Sequence, residues 1–132
     1  MIQASELRLG NYILHKVNNK ISTAVCDYRH FELLARGDNK DMYPILLKSE
    51  WLERTGFIEN KKYALLPDAH EYKLTIPVPG SSHNEILAYI KNNKECFARA
   101  VADDMVVSTS IYNLHQLQNL YYSLTGKELE IK

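Results

Sequence analysis

The stretch that decides the fold is Ser110-Ile-Tyr-Asn-Leu-His-Gln-Leu-Gln-Asn-Leu-Tyr-Tyr-Ser-Leu-Thr-Gly126. Its apolar residues recur at intervals of three and four, which is the period of one buried helix face. These residues are Leu114, Leu117, Leu120, Tyr121 and Leu124. The hydroxyl side chains at 108–110 are suited to cap the first amides of a helix, and Gly126 is suited to a left-handed helix end. The sequence therefore predicts a long helix near 109–126.

The opposite face of this helix is polar but carries no charge. No Asp, Glu, Lys or Arg occurs between Met105 and Gly126, whereas a solvated helix face normally carries charges that pair along it. Either strands or loops of the same chain cover both faces, or the polar face binds a protein partner, a second copy or a small polar ligand. The candidate binding residues on this face are Tyr112, His115, Asn119 and Tyr122.

Length and charge limit the class of protein. A chain of 132 residues with 45% hydrophobic residues has the size and composition of one globular domain, residues 1–132. Its 16 basic residues balance its 16 acidic residues, so no excess of positive charge is available to hold a phosphate backbone. We therefore expect no general nucleic-acid binding. The polar residues within the long helix also exclude a membrane span there.

The sequence contains no motif for catalysis, a metal or a cofactor. Its 5 glycines are too far apart for a phosphate-binding loop. Its 5 histidines include no closely spaced pair, so a metal site would require them to converge through folding. Cys26 and Cys96 fall on predicted strands, where thiols act as small apolar groups, and two distant cysteines are typical of a reduced, cytoplasmic protein. We expect a non-enzymatic protein without cofactor, catalytic residue or metal site.

The N-terminal segments predict a small curled sheet. Alternating segments at 11–17 and 20–28 flank Asn18-Asn19, and Asn tolerates the positive φ that a two-residue hairpin turn requires. A third strand is predicted at 30–36. The segment at 42–47 contains Pro44, which predicts an edge strand.

The remaining segments predict one short helix and further strands. The helix is expected near 49–56, with Ser49 as its N-cap and Gly56 at its end. Strands are expected at 62–66, 71–78, 85–91 and 94–101, with a turn at Asn92-Asn93, and a last strand at 128–131. The predicted fold class is α+β, in which antiparallel strands come first and the long helix packs on the sheet.

Three pieces of the sequence resemble one family of small uncharacterised proteins from Bacteroidetes bacteria, their prophages and mobile elements. Residues 6–13, ELRLGNYI, resemble the family's opening LRIGNYV. YPILL at 43–47 with EWL at 50–52 and GF at 56–57 resembles its PIPLTEEWLLKFGF, although Lys48 replaces a capping Thr. Residues 115–129 resemble its ending HQLQNLYFALTGEEL. The resemblance implies a phage or mobile-element origin and a shared architecture, but no activity.

Two functions are compatible with these patterns. The leading hypothesis is a non-enzymatic cytoplasmic module that binds a protein partner or a second copy of itself. The alternative is a protein that binds or sequesters a small molecule in a polar cleft beside the C-terminal helix.

Overall fold

The computed structural model describes residues 2–38, 40–60, 69–76, 84–91, 95–103 and 105–132. In these ranges the chain forms two antiparallel sheets and three α-helices, which confirms the predicted α+β class. The strands are β1 Tyr12–Val17, β2 Lys20–Val25, β3 Met42–Tyr43, β4 Ile58–Asn60, β5 Ala69–Thr75, β6 Asn84–Lys91, β7 Glu95–Ala102 and β8 Met105–Val106, and the helices are α1 Tyr28–Ala35, α2 Ser49–Arg54 and α3 Leu114–Thr125. The strand predicted at 62–66 and the turn predicted at Asn92-Asn93 lie outside the described residues.

The smaller sheet is built on the predicted N-terminal hairpin and has the strand order β2-β1-β3. Asn18 and Asn19 form its turn with φ of 53° and 63°, so the prediction of a two-residue turn there is confirmed. The third strand is β3, which pairs with β1 through Leu14 and Tyr43.

The strand predicted at 30–36 is wrong, because this segment belongs to helix α1. Asp27 is the N-cap of α1, and its carboxylate accepts the backbone amide of Arg29 at 3.0 Å. His30 Nδ1 in turn accepts the amide of Asp27 at 3.0 Å. This reciprocal capping satisfies amides that the first helical turn leaves free. The apolar side of α1 then packs with Ile13 and Met42 in the smaller of two apolar clusters.

The larger sheet has the order β4-β5-β6-β7-β8, and one of its faces forms the main core. Tyr72, Ala88 and Ala98 are cross-strand neighbours on this face. Helix α3 packs against the same core through Leu114 and Leu117, which are both fully buried. The other predicted apolar residues of α3 are half-buried beside them, so the predicted core face of this helix is confirmed. These are Leu120, Tyr121 and Leu124.

Helix α3 begins at Leu114, later than predicted. Ile111 forms a β-bridge with Ala98, and Asn113 forms one with Leu46, so the chain is extended up to the helix. Ser108, predicted as part of the cap, instead accepts the amide of Ala100 on its hydroxyl oxygen at 2.7 Å. The predicted end of the helix at Gly126 is confirmed.

That end is a left-handed cap at Gly126, which has φ of 72° and donates its amide to the Tyr122 carbonyl at 2.8 Å. Two further details of the prediction are wrong. Lys48, not Ser49, is the N-cap of α2, and its side chain makes no capping hydrogen bond. The segment 128–131 does not form a strand, and its residue Leu129 packs in the main core.

Candidate functional site

The polar face of α3 is not one open surface. Tyr112 precedes the helix and is 53% exposed, whereas Tyr122 near its end is 42% exposed. Between them His115 is fully buried and Asn119 is half-buried. The four candidate residues of the sequence therefore divide into two exposed tyrosines at opposite ends and a covered middle.

The middle of this face is covered by the N-terminal segment of the same chain. Gln118 is 2% exposed and lies against the start of β1. Its Nε2 donates to the Gly10 carbonyl at 3.1 Å, and its Oε1 accepts the Tyr12 amide at 2.7 Å. A side-chain amide suits this position because it supplies one donor and one acceptor to a stretch of backbone that leads into a strand.

Asn119 extends the same contact by one residue. Its Oδ1 accepts Arg8 Nε at 3.0 Å and Asn11 Nδ2 at 2.8 Å, and its Nδ2 donates to the Glu6 carbonyl at 3.0 Å. Asn11 is itself fully buried. The uncharged amides of α3 are therefore engaged within the chain.

Arg8 closes the edge of this contact. Its guanidinium binds Glu128 at 2.6 Å and 3.2 Å, and its Cζ lies 4.1 Å from the centre of the Tyr122 ring. The hydrogen bond from Arg8 holds the pKa of the Glu128 carboxyl below its ordinary value. The Arg8 guanidinium thus covers one face of the Tyr122 ring.

His115 has a different environment from the amides beside it. Neither ring nitrogen has a hydrogen-bond partner among the described residues, and the Glu6 carboxylate is 3.9 Å from Nε2. Burial lowers the pKa of His115, and the charge of Glu6 offsets part of this effect. The arrangement favours a neutral imidazole that is packed into the protein.

Neither cysteine is activated as a nucleophile. Cys26 lies in the smaller apolar cluster and Cys96 packs against the larger one, and both are free thiols. Burial raises the pKa of each thiol to about 11, so the unreactive protonated form dominates at neutral pH.

The described residues also contain no group of three His, Cys, Asp or Glu side chains able to hold a metal ion. Within the same ranges, none of the helices combines the length and the apolar character needed to cross a membrane.

Two clefts of similar size lie away from the polar face of α3. One, of about 400 Å³, lies at the end of the larger sheet beside His70, Tyr72 and Cys96. The other, of about 420 Å³, lies between the β1–β2 hairpin and α1. None of Tyr112, His115, Asn119 and Tyr122 lines either cleft.

One open surface of the described fold is the free edge of β2. Five of its six residues are exposed, including Ile21 at 58% and Val25 at 51%. Val17 and Lys20 close a two-residue hairpin and form a hydrogen-bonded pair. From this pair onward, hydrogen-bonded and non-hydrogen-bonded pairs of β1 and β2 alternate, and Ile21, Thr23 and Val25 belong to the non-hydrogen-bonded pairs. The backbone N–H and C=O groups of Ile21, Thr23 and Val25 therefore point away from β1, toward solvent.

Beyond Lys20, the edge of β2 also lacks the features that normally protect an edge strand. Proteins blunt such edges with charges, proline, bulges or very short strands. Among the described edges, β3 and β8 have two residues each and β4 has three. β2 has six residues, and none of those after Lys20 is charged or a proline.

No family model, curated protein or solved structure matches this chain. The resemblance to the Bacteroidetes family therefore stays a prediction that rests on sequence pieces. Two of those pieces, 6–13 and 115–129, are the segments that Gln118 and Asn119 join in the structure.

Proposed function

We propose that the chain is a non-enzymatic protein-interaction module that self-associates through the free edge of β2. The observation that supports this most directly is the uncharged, exposed edge between Ile21 and Val25. An exposed strand of this kind is a template for pairing with another strand.

The occupant that fits this edge is a second copy in antiparallel orientation. A two-fold axis through Thr23, perpendicular to the sheet, sets Thr23 opposite Thr23 of the second copy and Ile21 opposite Val25 of the second copy. Directly opposite residues of an antiparallel pair point to the same face, so these β-branched side chains meet. The same three residues carry the outward backbone groups, so each of these pairs would exchange two hydrogen bonds.

Charge favours the second copy as well. Lys20 is the one charged residue of β2 and lies at its start, so no like charges face each other between Ile21 and Val25. Pairing would join two three-stranded sheets into one continuous sheet. A contact through one short strand belongs to the small class of interfaces, and we expect a weak, reversible dimer.

The cellular setting is part of the same proposal. The free thiols Cys26 and Cys96 belong to separate apolar clusters, which supports a reducing compartment such as the cytoplasm. A phage or mobile-element origin is supported by the resemblance alone.

Sedimentation equilibrium tests the proposal. The wild-type mass should rise with concentration from 15.3 kDa toward twice that value. Thr23→Lys should stay monomeric, because it sets two ammonium groups opposite each other at the axis. Thr75→Lys makes the same change at an exposed position of the larger sheet and should associate like the wild type.

Two results would overturn this proposal. One is a wild-type chain that stays monomeric at every concentration. The other is association that survives Thr23→Lys but is lost in Tyr112→Glu, which would place the contact beside α3. Thermal melts should show all three variants folded, because exposed substitutions usually change stability by less than about 0.5 kcal/mol.

A further inference from the structure

The cleft between the β1–β2 hairpin and α1 brings together polar groups that are distant in the sequence. It has a volume of about 420 Å³. Its polar lining includes His15, Ser22, Arg29 and His30, and its apolar lining includes Val17 and Leu33. This lining is separate from the α3 contact, and Val25 is the one lining residue that it shares with the outward edge of β2.

Folding places His15 and His30 in direct contact. The centres of their rings are 5.1 Å apart, with an angle of 63° between the ring planes. His15 lies on β1 directly opposite Ser22 of β2, whereas His30 comes from the first turn of α1. The two imidazoles and the Ser22 hydroxyl therefore line the same cleft.

The backbone decides which nitrogen of His30 carries a hydrogen. Nδ1 accepts the amide of Asp27 at 3.0 Å, so in the neutral ring the hydrogen is on Nε2. Asp27 Oδ1 is also 3.2 Å from Nδ1. The backbone N–H of Asp27 can only donate, however, so its hydrogen bond to Nδ1 requires the tautomer with the hydrogen on Nε2. Because the His30 side chain is only 9% exposed, its Nε2–H is a donor held in place by the fold.

The one carboxylate in the lining, Asp27, is already satisfied. It accepts the amide of Arg29 at 3.0 Å and the guanidinium of Arg29 at 2.8 Å. These hydrogen bonds lower the pKa of Asp27 to about 2. The guanidinium has five N–H donors and does not exhaust them on one carboxylate, so donors remain in excess at this cleft.

We propose that the cleft binds a small molecule with an oxyanion head group, either carboxylate or phosphate, and a short apolar body. His15, the Nε2–H of His30 and Arg29 would hold the head group through charge-assisted hydrogen bonds. Val17 and Leu33 would contact the apolar body. Two imidazoles without a third ligand among the described residues do not make a metal site, so an anion is the ligand that this donor set favours.

Anion binding here does not depend on the proposed dimer. Side chains alternate between the two faces of a strand, so Ser22 faces the cleft while Thr23 faces the other way. Thr23→Lys therefore tests the dimer without changing a lining residue of the cleft, and Arg29→Gln tests the cleft without changing the edge of β2.

Histidine side-chain NMR of the full chain tests the site, with inorganic phosphate, acetate and butyrate as separate probes. We expect saturable shifts of His15 and His30 at millimolar anion, with His70 and His115 unaffected. Butyrate should bind several-fold more tightly than acetate, because its additional methylenes are removed from water. If phosphate binds and butyrate does not, the head group is a phosphate, and the opposite result identifies a carboxylate.

Two variants and one control separate this site from general charge effects. Arg29→Gln should weaken binding about tenfold or more, the usual effect of losing a charge-assisted hydrogen bond. His15→Gln should also weaken binding, although it leaves the Asp27–Arg29 pair intact. Arg36→Gln removes the same charge from the other end of α1 and should bind like the wild type.

Three results would overturn the assignment. They are the absence of any saturable shift at His15 and His30, an equal loss of binding in Arg36→Gln, and a response to Zn²⁺ without a response to any anion.

Discussion

The side-chain oxygen of Gln118 accepts the backbone amide of Tyr12 at 2.7 Å, and this bond ties α3 to the beginning of β1. The nitrogen of the same side chain reaches the Gly10 carbonyl. A Lys or Glu at this position could not supply both a donor and an acceptor. The lack of charge on this part of α3 is therefore explained by a contact within the chain.

Gln118→Leu should lower the free energy of unfolding by about 1–3 kcal/mol, because it leaves the Gly10 carbonyl and the Tyr12 amide without their partners. Urea denaturation measures the loss. Gln3→Leu changes an exposed glutamine at the start of the short 3-10 helix Ala4–Glu6 and should cost clearly less. A loss below about 0.5 kcal/mol for Gln118→Leu would show that water replaces both bonds.

Leu117→Ala should lower the free energy of unfolding by about 2–5 kcal/mol, the usual range for a buried leucine. Leu117 is fully buried, whereas Leu120 is half-buried at the rim of the same cluster. Leu120→Ala should therefore cost clearly less in the same denaturation experiment. Equal costs for the two variants would contradict this assignment of the core face.

Sequence reasoning succeeded where one residue decides the local geometry. Asn18-Asn19 and Gly126 adopt the positive φ values that their turn and helix end require. Prediction from the sequence failed where pairing between residues far apart in the chain decides the local structure. At the start of α3, for example, the bridge between Ile111 and Ala98 keeps the chain extended. At α1 the signal was present in Asp27, a residue type that suits an N-cap, but the segment after it was predicted to be a third strand of the hairpin sheet.

The candidate site was harder to predict than the fold. The uncharged face of α3 is visible in the sequence, and covering of this face by the same chain is one of the two interpretations that the sequence allows. The sequence does not reveal that residues 6–12 form the covering segment. His15 and His30 have no diagnostic spacing and meet only because α1 packs across the hairpin. The free edge of β2 depends on strand order, which alternation along one strand does not fix.

His115 makes stability sensitive to acid. Its pKa is lowered in the folded state from an ordinary value of 6.5, so the unfolded chain takes up a proton that the folded chain resists. The free energy of unfolding is therefore at its full value above pH 6.5 and falls as the pH drops below it, by at most about 1.4 kcal/mol per pH unit.

His115→Leu should remove this acid sensitivity just below pH 6.5, because leucine has no group to protonate. Asp27 and Glu128, whose pKa values are lowered, lose their stabilising charge only at lower pH. Denaturation curves across this range make the comparison. Leu117→Ala, which removes no titratable group, should lower the free energy of unfolding by the same amount at each pH in this range. An unchanged pH profile in His115→Leu would contradict the assignment.

The most direct test of self-association through β2 is to mix Thr23→Lys with Thr23→Glu and measure the mass by sedimentation equilibrium. The proposed axis places residue 23 opposite itself, so each variant alone should stay monomeric through repulsion of like charges. An equal mixture should form a heterodimer, because opposite charges then meet at the axis. A mixture that stays monomeric while the wild type dimerises, or a lysine variant that dimerises alone, would contradict the account.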